Sequence, residues 1–144
     1  MRLYFDAAYV AKFYLQEPDS PAVRRLAETV DVVHSSEWCL AEMACAIHRQ
    51  VREGLLTGPQ AAEVRQVFRE QVAAGVWAFV PVTRELLEEV DAVVHTLPGD
   101  AFVRAGDALH LASARVAGFT EIWSNDRHLL RAARHFGLKG RSAS

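Results

Sequence analysis

The sequence predicts an α/β fold, a three-layer α/β/α sandwich with a central, mostly parallel sheet of four to five strands. Short apolar segments with strand character alternate along the chain with segments of helical periodicity. Parallel neighbours need crossover connections, and helices supply them on both faces of such a sheet. The 144 residues, 51% of them hydrophobic, suffice for one well-buried core, so we expect a single domain over residues 1–144.

The chain opens with a predicted strand and a predicted helix. Residues 1–5 are mostly apolar, and residues 7–15 carry enough Ala, Val, Phe and Leu for a buried helix. The break Pro18-Asp19-Ser20-Pro21 precedes a second helix over residues 22–29 and a strand around Val32-Val33.

The third predicted helix has a long apolar stripe, and Ser36 is expected to be its N-cap. The residues expected to face the core recur at steps of three and four: Leu40, Ala44, Ile47, Val51 and Leu55. Gly54 and Gly58-Pro59 are expected to end this helix, and residues 60–73 predict a more charged, solvated helix.

The second half of the chain repeats the alternation of predicted strands and helices. Residues 76–82 predict a third strand, and Thr83 is expected to cap a helix that reaches about residue 96. The turn Pro98-Gly99-Asp100 precedes an apolar helix over residues 107–117, for which Gly118 suits the C-terminal cap.

The C-terminal part predicts one more strand and one more helix. Glu121–Trp123 is the fourth strand, and residues 125–135 are the final helix. The residues after Gly137 are expected to form either a short edge strand or a frayed tail.

Charge and cysteine content indicate which binding partners and which cellular compartment fit the protein. The 16 basic and 18 acidic residues nearly cancel, so any attraction for nucleic acid must be local. Cys39 and Cys45, six residues apart on one helix, point in different directions and are not expected to form a disulfide. No signal peptide or membrane-spanning run is visible, so we expect a cytoplasmic protein without a membrane partner.

Four acidic residues stand out by position. Asp6 ends the first predicted strand and Asp126 follows the fourth, and ligands of parallel sheets sit at the carboxyl ends of strands. Glu42 and Asp107 are isolated acids in otherwise apolar helices, where an unpartnered carboxylate is costly. Clustered carboxylates repel unless a cation neutralises them, and oxygen ligands favour magnesium or manganese. The four acids are therefore candidate metal ligands.

Each acid also has a local structural explanation, and the sequence leaves both open. These explanations are the end of a strand for Asp6, ion pairs of Glu42 with Arg49 and of Asp107 with Arg104, and a helix N-terminus for Asp126.

Five segments, spread across nearly the whole chain, form a recognisable order and spacing. They are Leu3-Tyr4-Phe5-Asp6-Ala7-Ala8 with Lys12 and Glu17 following, Ala41-Glu42-Met43, Pro81-Val82-Thr83, Gly106-Asp107-Ala108-Leu109-His110-Leu111-Ala112, and Ser124-Asn125-Asp126. Through them the sequence resembles a known family, the PIN-domain ribonucleases, and in particular the VapC type of toxin from bacterial toxin–antitoxin pairs.

The resemblance implies a PIN-like fold and assigns roles by position. Asp6, Glu42 and Asp107 match the family's central metal-binding acids, Asp126 matches a fourth, and Ser124 falls where the family has a hydroxyl near the metal. The implied activity is endonucleolytic RNA cleavage that depends on Mg²⁺ or Mn²⁺. The implied partners are an RNA substrate, a VapB-type antitoxin and a second copy of the chain in a homodimer.

Several basic residues are candidates for substrate binding. After Asp126 the chain contains no acid, and Arg127, Arg131 and Arg134 share one side of the final helix by their spacing. They fit either RNA phosphates or an ordinary solvated helix face. Lys12 lies one and a half turns past Asp6 and fits either the substrate or an ion pair with Glu17.

The histidines and tryptophans are expected to serve packing rather than metal binding or contacts with bases. None of the six histidines stands in a repeated zinc-site pattern, and His110 is expected to be a hydrogen-bonded core residue. Trp38, Trp77 and Trp123 are expected to be core or interface anchors.

Rival classes fit less well. A haloacid-dehalogenase phosphatase needs a second Asp where this chain has Ala8, and a receiver domain needs an Asp where the third strand ends in Val80-Pro81-Val82. The alternative that stays open is a catalytically degenerate domain of the PIN fold that serves as a binding or scaffold module.

Overall fold

The molecule is built around short parallel strands. Its computed structural model describes residues 1–143. The strands are β1 (Leu3–Tyr4), β2 (Val33–Ser36), β3 (Trp77–Val80), β4 (Glu121–Trp123) and β5 (Lys139–Arg141). A three-stranded ladder has the order β1-β2-β3, and β4 pairs with β5 in a second ladder. A parallel bridge between Phe5 and Trp123 joins the two ladders, and every ladder pairing within residues 1–143 is parallel.

Helices connect these strands. They are α1 (Ala7–Tyr14), α2 (Ser20–Ala27), α3 (Cys39–Arg52), α4 (Gly58–Ala73), α5 (Arg84–Val94), α6 (Ala105–Val116) and α7 (Arg127–Ala132), which continues as a 3-10 turn (Ala133–Phe136). No helix in residues 1–143 combines the length and the apolar character that a membrane crossing requires.

The sheet has a core on each face. Leu3 and Phe5 pack in one cluster with apolar side chains of α1 to α4, whereas Tyr4 packs in a second cluster with side chains of α5 to α7. Successive strand residues point to opposite faces of a sheet. Leu3 and Phe5 therefore face one layer of helices, and Tyr4 faces the other. The predicted three-layer sandwich is confirmed, although its continuous ladders hold three and two strands rather than four or five.

Most predicted elements are confirmed. Thr83 accepts a hydrogen bond from the backbone of Leu86 and caps α5, and Gly118 follows α6 with a φ of 82° that suits glycine. After Gly137, Lys139–Arg141 form the edge strand β5 rather than a frayed tail. Cys39 and Cys45 are both free thiols, as expected.

The predicted stripe of α3 is wrong except for Ile47, which is buried as expected. Leu40 and Leu55 are 43% and 63% exposed, whereas the buried residues of α3 are Cys39, Met43 and Ile47. Both stripes have helical spacing. Because the helix carries apolar residues on nearly every side, periodicity could not choose between the two faces.

Three predicted helix starts also need correction. Ser36 is the last residue of β2 rather than an N-cap, and its hydroxyl accepts a hydrogen bond from the backbone of Trp38. The second helix begins at Ser20, because a proline in the first turn of a helix is compatible with helix formation. Gly58-Pro59 likewise opens α4, where Thr57 and Gln60 form a capping box.

The close contact of β5 with α7 predicts the effect of one substitution. A Cβ atom at Gly140 would lie 2.8 Å from Leu130 Cδ2 and 3.0 Å from the Leu130 carbonyl oxygen. We expect Gly140→Ala to reduce the free energy of unfolding by roughly 1–3 kcal/mol, as in overpacked cores. Thermal melting checks this, with Gly58→Ala as the control because no atom of the described residues lies within 4 Å of its Cβ position. Equal melting temperatures of Gly140→Ala and the parent would contradict the tight contact.

Candidate functional site

All four candidate acids lie at helix N-termini. Asp6 is the N-cap of α1 and accepts a 2.9 Å hydrogen bond from Tyr9 N, and Asp126 is the N-cap of α7 and accepts a 2.8 Å bond from His128 N. Glu42 and Asp107 lie in the first turns of α3 and α6. A helix N-terminus carries partial positive charge, so the fold favours negative charge at each of these positions.

The four acids line the same cavity. Asp6 follows β1, Asp126 follows β4, and α3 with Glu42 follows β2, so three of them stand beyond the carboxyl ends of strands. The cavity has a volume of about 330 Å³ and is lined by Asp6, Ala7, Ala8, Glu42, Arg104, Gly106, Asp107, His110 and Asp126. We call it the acidic cavity.

Asp6 is the most deeply buried of the four. Its side chain accepts a 2.6 Å hydrogen bond from Ser124 Oγ, and Ser124 Oγ in turn accepts one from Asp126 N at 2.9 Å. Burial raises the pKa of Asp6 from its ordinary value of 3.8 to about 6, and the hydrogen bonds from Ser124 and Tyr9 only partly oppose this. The buried Ser124 therefore joins two of the candidate acids.

Glu42 is held by a buried histidine. His110 Nε2 lies 2.6 Å from Glu42 Oε1, and His110 Nδ1 lies 3.0 Å from the hydroxyl of Tyr4. If the tyrosine donates to Nδ1, the other ring nitrogen carries a hydrogen and donates to Glu42. A Cβ atom at Gly106 would lie 3.8 Å from Glu42 Oε2, so α6 passes close to this carboxylate.

The prediction for His110 is confirmed, and its contact with Glu42 was missed. His110 is 2% exposed and makes hydrogen bonds through both ring nitrogens, as a satisfied core histidine does. The available signal was its spacing, three residues after Asp107 on one helix face. The local explanation for Glu42 is wrong, because Arg49 pairs with Glu53 instead.

Asp107 and Asp126 share one arginine. Arg104 donates a 3.0 Å hydrogen bond to Asp126 Oδ2, and its Nε lies 3.5 Å from Asp107 Oδ2. The expected pair of Asp107 with Arg104 is therefore present as an ion pair. Asp107 Oδ2 is nonetheless buried and accepts no hydrogen bond within residues 1–143. Burial and the neighbouring Asp126 raise the pKa of Asp107, and Arg104 opposes them incompletely.

The basic candidates are divided between three places. Lys12 forms ion pairs with Glu17 at 3.6 Å and Asp19 at 3.0 Å, as the local explanation expected. It lines a cavity of about 580 Å³ that also contacts Glu42. Arg131 and Arg134 line a different cavity of about 230 Å³, whereas Arg127 is exposed and lines neither of these two cavities.

The donor set of the acidic cavity fits a hard divalent cation. Its acids offer only oxygen atoms, and one oxygen of Asp107 has no hydrogen bond from any residue in 1–143. Burial raises the pKa of two of the four carboxyls. Within residues 1–143, no three His, Cys, Asp or Glu side chains are already close enough together to ligate one ion. The positive charge near Asp107 and Asp126 comes from Arg104 instead.

A family model described as PIN domain matches residues 3–135. The chain belongs to the PIN domain family. PIN domains are in general nucleases that act on nucleic acids and usually use divalent metal ions, so membership indicates a nuclease. Among curated proteins, none matches this chain by sequence.

Burial of Asp6 predicts how stability depends on pH in the absence of metal. Folding raises the pKa of this carboxyl from 3.8 to about 6, so the folded state binds the proton more tightly than the unfolded state. The Asp6 contribution to the free energy of unfolding should therefore fall as pH rises from about 4 to about 6, by roughly 3 kcal/mol. Asp6→Asn, which keeps an N-cap side chain, should lose this dependence.

Urea unfolding in EDTA between pH 4 and pH 7 measures the effect. Asp91→Asn on α5 removes one exposed carboxylate and corrects for the change in net charge. Parallel stability curves of Asp6→Asn and Asp91→Asn would show that Asp6 carries no such penalty.

Proposed function

We propose that this chain is a divalent-metal-dependent endoribonuclease and the toxin of a toxin–antitoxin pair. The single observation that carries the nuclease proposal is the acidic cavity, where carboxylates from four separate helix N-termini face one space. Such a cluster is unfavourable without a cation, and its all-oxygen composition favours Mg²⁺ or Mn²⁺. Asp6, Glu42, Asp107 and Asp126 are the proposed ligands.

When bound, the metal would supply a water of lowered pKa and positive charge against the reacting phosphate. The residues of the chain prepare its ligands. Ser124 fixes one oxygen of Asp6, and His110 fixes one oxygen of Glu42, so each carboxylate has a defined orientation. No side-chain nucleophile is required.

Arg104 has the position to serve the substrate. Its guanidinium is partly exposed, with 60% of the side chain accessible, and it already contacts two carboxylates of the acidic cavity. Paired N–H donors suit a guanidinium to bind a phosphate, and Arg104 would be available for this role once its two carboxylate partners held a metal instead. Lys12, Arg127, Arg131 and Arg134 complete the proposed substrate-binding set, whereas Ser124 is fully buried and acts through Asp6 rather than on the substrate.

A degenerate PIN-fold scaffold is the second candidate function, and one observation favours it. Arg104 supplies a positive charge to Asp107 and Asp126 without any metal. In a scaffold this arrangement would be the final state, and added metal would leave the protein unchanged.

The toxin role is the finer part of the proposal. It draws on the resemblance to VapC-type toxins and on apolar side chains at the surface, since Trp38, Leu40 and Leu55 are exposed on or near α3. A VapB-type antitoxin and a second copy of the chain in a homodimer are the proposed partners, in the cytoplasm.

Substitution of Asp107 separates a metal site from a structural acid. In EDTA, Asp107→Asn should melt at a higher temperature than the parent at neutral pH, because ionised Asp107 is unfavourable next to Asp126 and in a buried position. Mn²⁺ should raise the melting temperature of the parent more than that of the variant.

Cleavage of mixed RNAs gives the second readout. The parent should cut with Mg²⁺ or Mn²⁺ and not in EDTA, and Asp107→Asn should lose most of this activity. Glu85→Gln on α5 is the matched control, because that carboxylate lies outside the acidic cavity. A variant that melts lower than the parent in EDTA and still cleaves RNA would refute the proposed site.

Growth tests the toxin role separately. Expression of the chain alone should slow growth, Asp107→Asn should be tolerated at the same protein level, and co-expression of a small antitoxin encoded next to it should restore growth. Unimpaired growth at a high level of enzyme that is active in the cleavage assay would contradict the toxin role and leave the nuclease intact.

A further inference from the structure

A second cavity lies beside the acidic one. It has a volume of about 230 Å³ and is lined by the segment from Pro98 to Phe102 and by residues of α7 and the turn that follows it. We call it the Phe102 pocket. Its chemically distinctive side chains are Asp100, Phe102, His128, Arg131, Arg134 and His135.

The pocket presents an accessible aromatic ring. Phe102 precedes α6 and is 53% exposed, whereas its neighbour Val103 packs against the second core cluster. Its ring centroid lies 4.4 Å from that of His128, with an angle of 39° between the ring planes. The phenyl ring thus contacts the His128 ring and lies under the more distant Arg104 guanidinium, and its exposed part offers surface for stacking. Unpaired nucleobases stack on such side chains.

The Phe102 pocket and the acidic cavity adjoin through two contacts. The Arg104 guanidinium carbon lies 5.8 Å from the Phe102 ring centroid, and the same guanidinium donates to Asp126. On the other side, His128 donates its backbone N–H to Asp126. The Phe102 pocket and the acidic cavity are therefore neighbouring sites on the molecule, joined by Arg104 and by the N-terminus of α7.

The charges of the pocket fit a nucleotide. Arg131 and Arg134 are exposed cations on its wall and match the phosphates of a strand that passes over it. Asp100 is the only acid among the residues that line it. A carboxylate accepts hydrogen bonds from the exocyclic amino group of cytosine, adenine or guanine, and uracil has no such group.

We propose that the Phe102 pocket binds the unpaired RNA nucleotide adjacent to the cut phosphate, with the base stacked on Phe102 and its amino group at Asp100. This inference rests on the proposed ribonuclease function and deepens it. The pocket favours single-stranded RNA, because a base inside a duplex cannot reach the ring, and it disfavours uracil at this position.

Binding without cleavage tests the stacking contact. Fluorescence anisotropy in EDTA, with fluorescein-labelled oligocytidylate and oligouridylate of equal length, measures affinity independently of catalysis. Phe102→Ala should weaken oligocytidylate binding by about fivefold or more. Phe102→Tyr, which keeps an aromatic face, should retain it. Leu87→Ala on α5 is the control for removal of an exposed apolar side chain.

Salt dependence tests the arginines. Replacement of both Arg131 and Arg134 by Ala should weaken binding and reduce the slope of log affinity against log salt by about 0.7 for each RNA phosphate that the protein no longer neutralises. Arg84→Ala, on an exposed side chain outside the pocket, should leave the slope unchanged. An unchanged slope in the double variant would mean that the two arginines belong to an ordinary solvated surface and do not contact RNA phosphates.

Base preference tests Asp100. The parent should bind oligocytidylate more tightly than oligouridylate, and Asp100→Asn should reduce this ratio, because a carboxylate that accepts from the amino group is replaced by an amide. Equal affinities of the parent for the two oligonucleotides would overturn the base preference.

The outcomes separate the pocket from the nuclease proposal. Affinity of Phe102→Ala equal to that of the parent, in a parent that cleaves RNA with Mn²⁺, would overturn the pocket and leave the nuclease standing. Weakened binding of Phe102→Ala, in a parent that fails to cleave with any metal, would support the pocket and overturn the nuclease.

Discussion

Carboxylates that face one small space repel each other, and this repulsion constrains the rest of the structure. Asp6, Glu42, Asp107 and Asp126 line a cavity of about 330 Å³. The fold favours them with helix N-termini, which carry partial positive charge, and with the guanidinium of Arg104. These contributions do not fully offset burial, since the pKa values of Asp6 and Asp107 are still raised. A further positive charge bound in the cavity would therefore stabilise the ionised carboxylates.

The parallel sheet explains why the acids meet. Strand β1 leads directly to Asp6, β4 leads through Ser124 to Asp126, and α3 begins beyond β2. The carboxyl ends of parallel strands lie at one edge of a sheet, so helices that start there direct their N-termini toward a common point. Ser124 and His110 then set the orientation of individual carboxylates from within the core.

The sequence predicted the strand–helix alternation and the four acids because both leave local signals. Short apolar segments mark the strands, and an isolated Glu42 or Asp107 in an apolar helix is unusual enough to notice. It could not predict which face of α3 is buried, because Leu40 and Met43 are equally apolar and only the neighbouring layer decides between them. Arg104 was expected only as a local partner of Asp107, and His110 only as a hydrogen-bonded core residue. Their contacts with Asp126 and Glu42 join residues far apart in the chain, and no periodicity reports such contacts.

The central claim is that the acidic cavity binds a divalent ion, and crystals soaked in Mn²⁺ test it most directly. We expect an anomalous difference peak in contact with carboxylate oxygens of Asp6, Glu42, Asp107 or Asp126, with Arg104 displaced from at least one of its two acidic partners. An empty cavity at saturating Mn²⁺, with Arg104 still bridging Asp107 and Asp126, would contradict the claim and favour the scaffold.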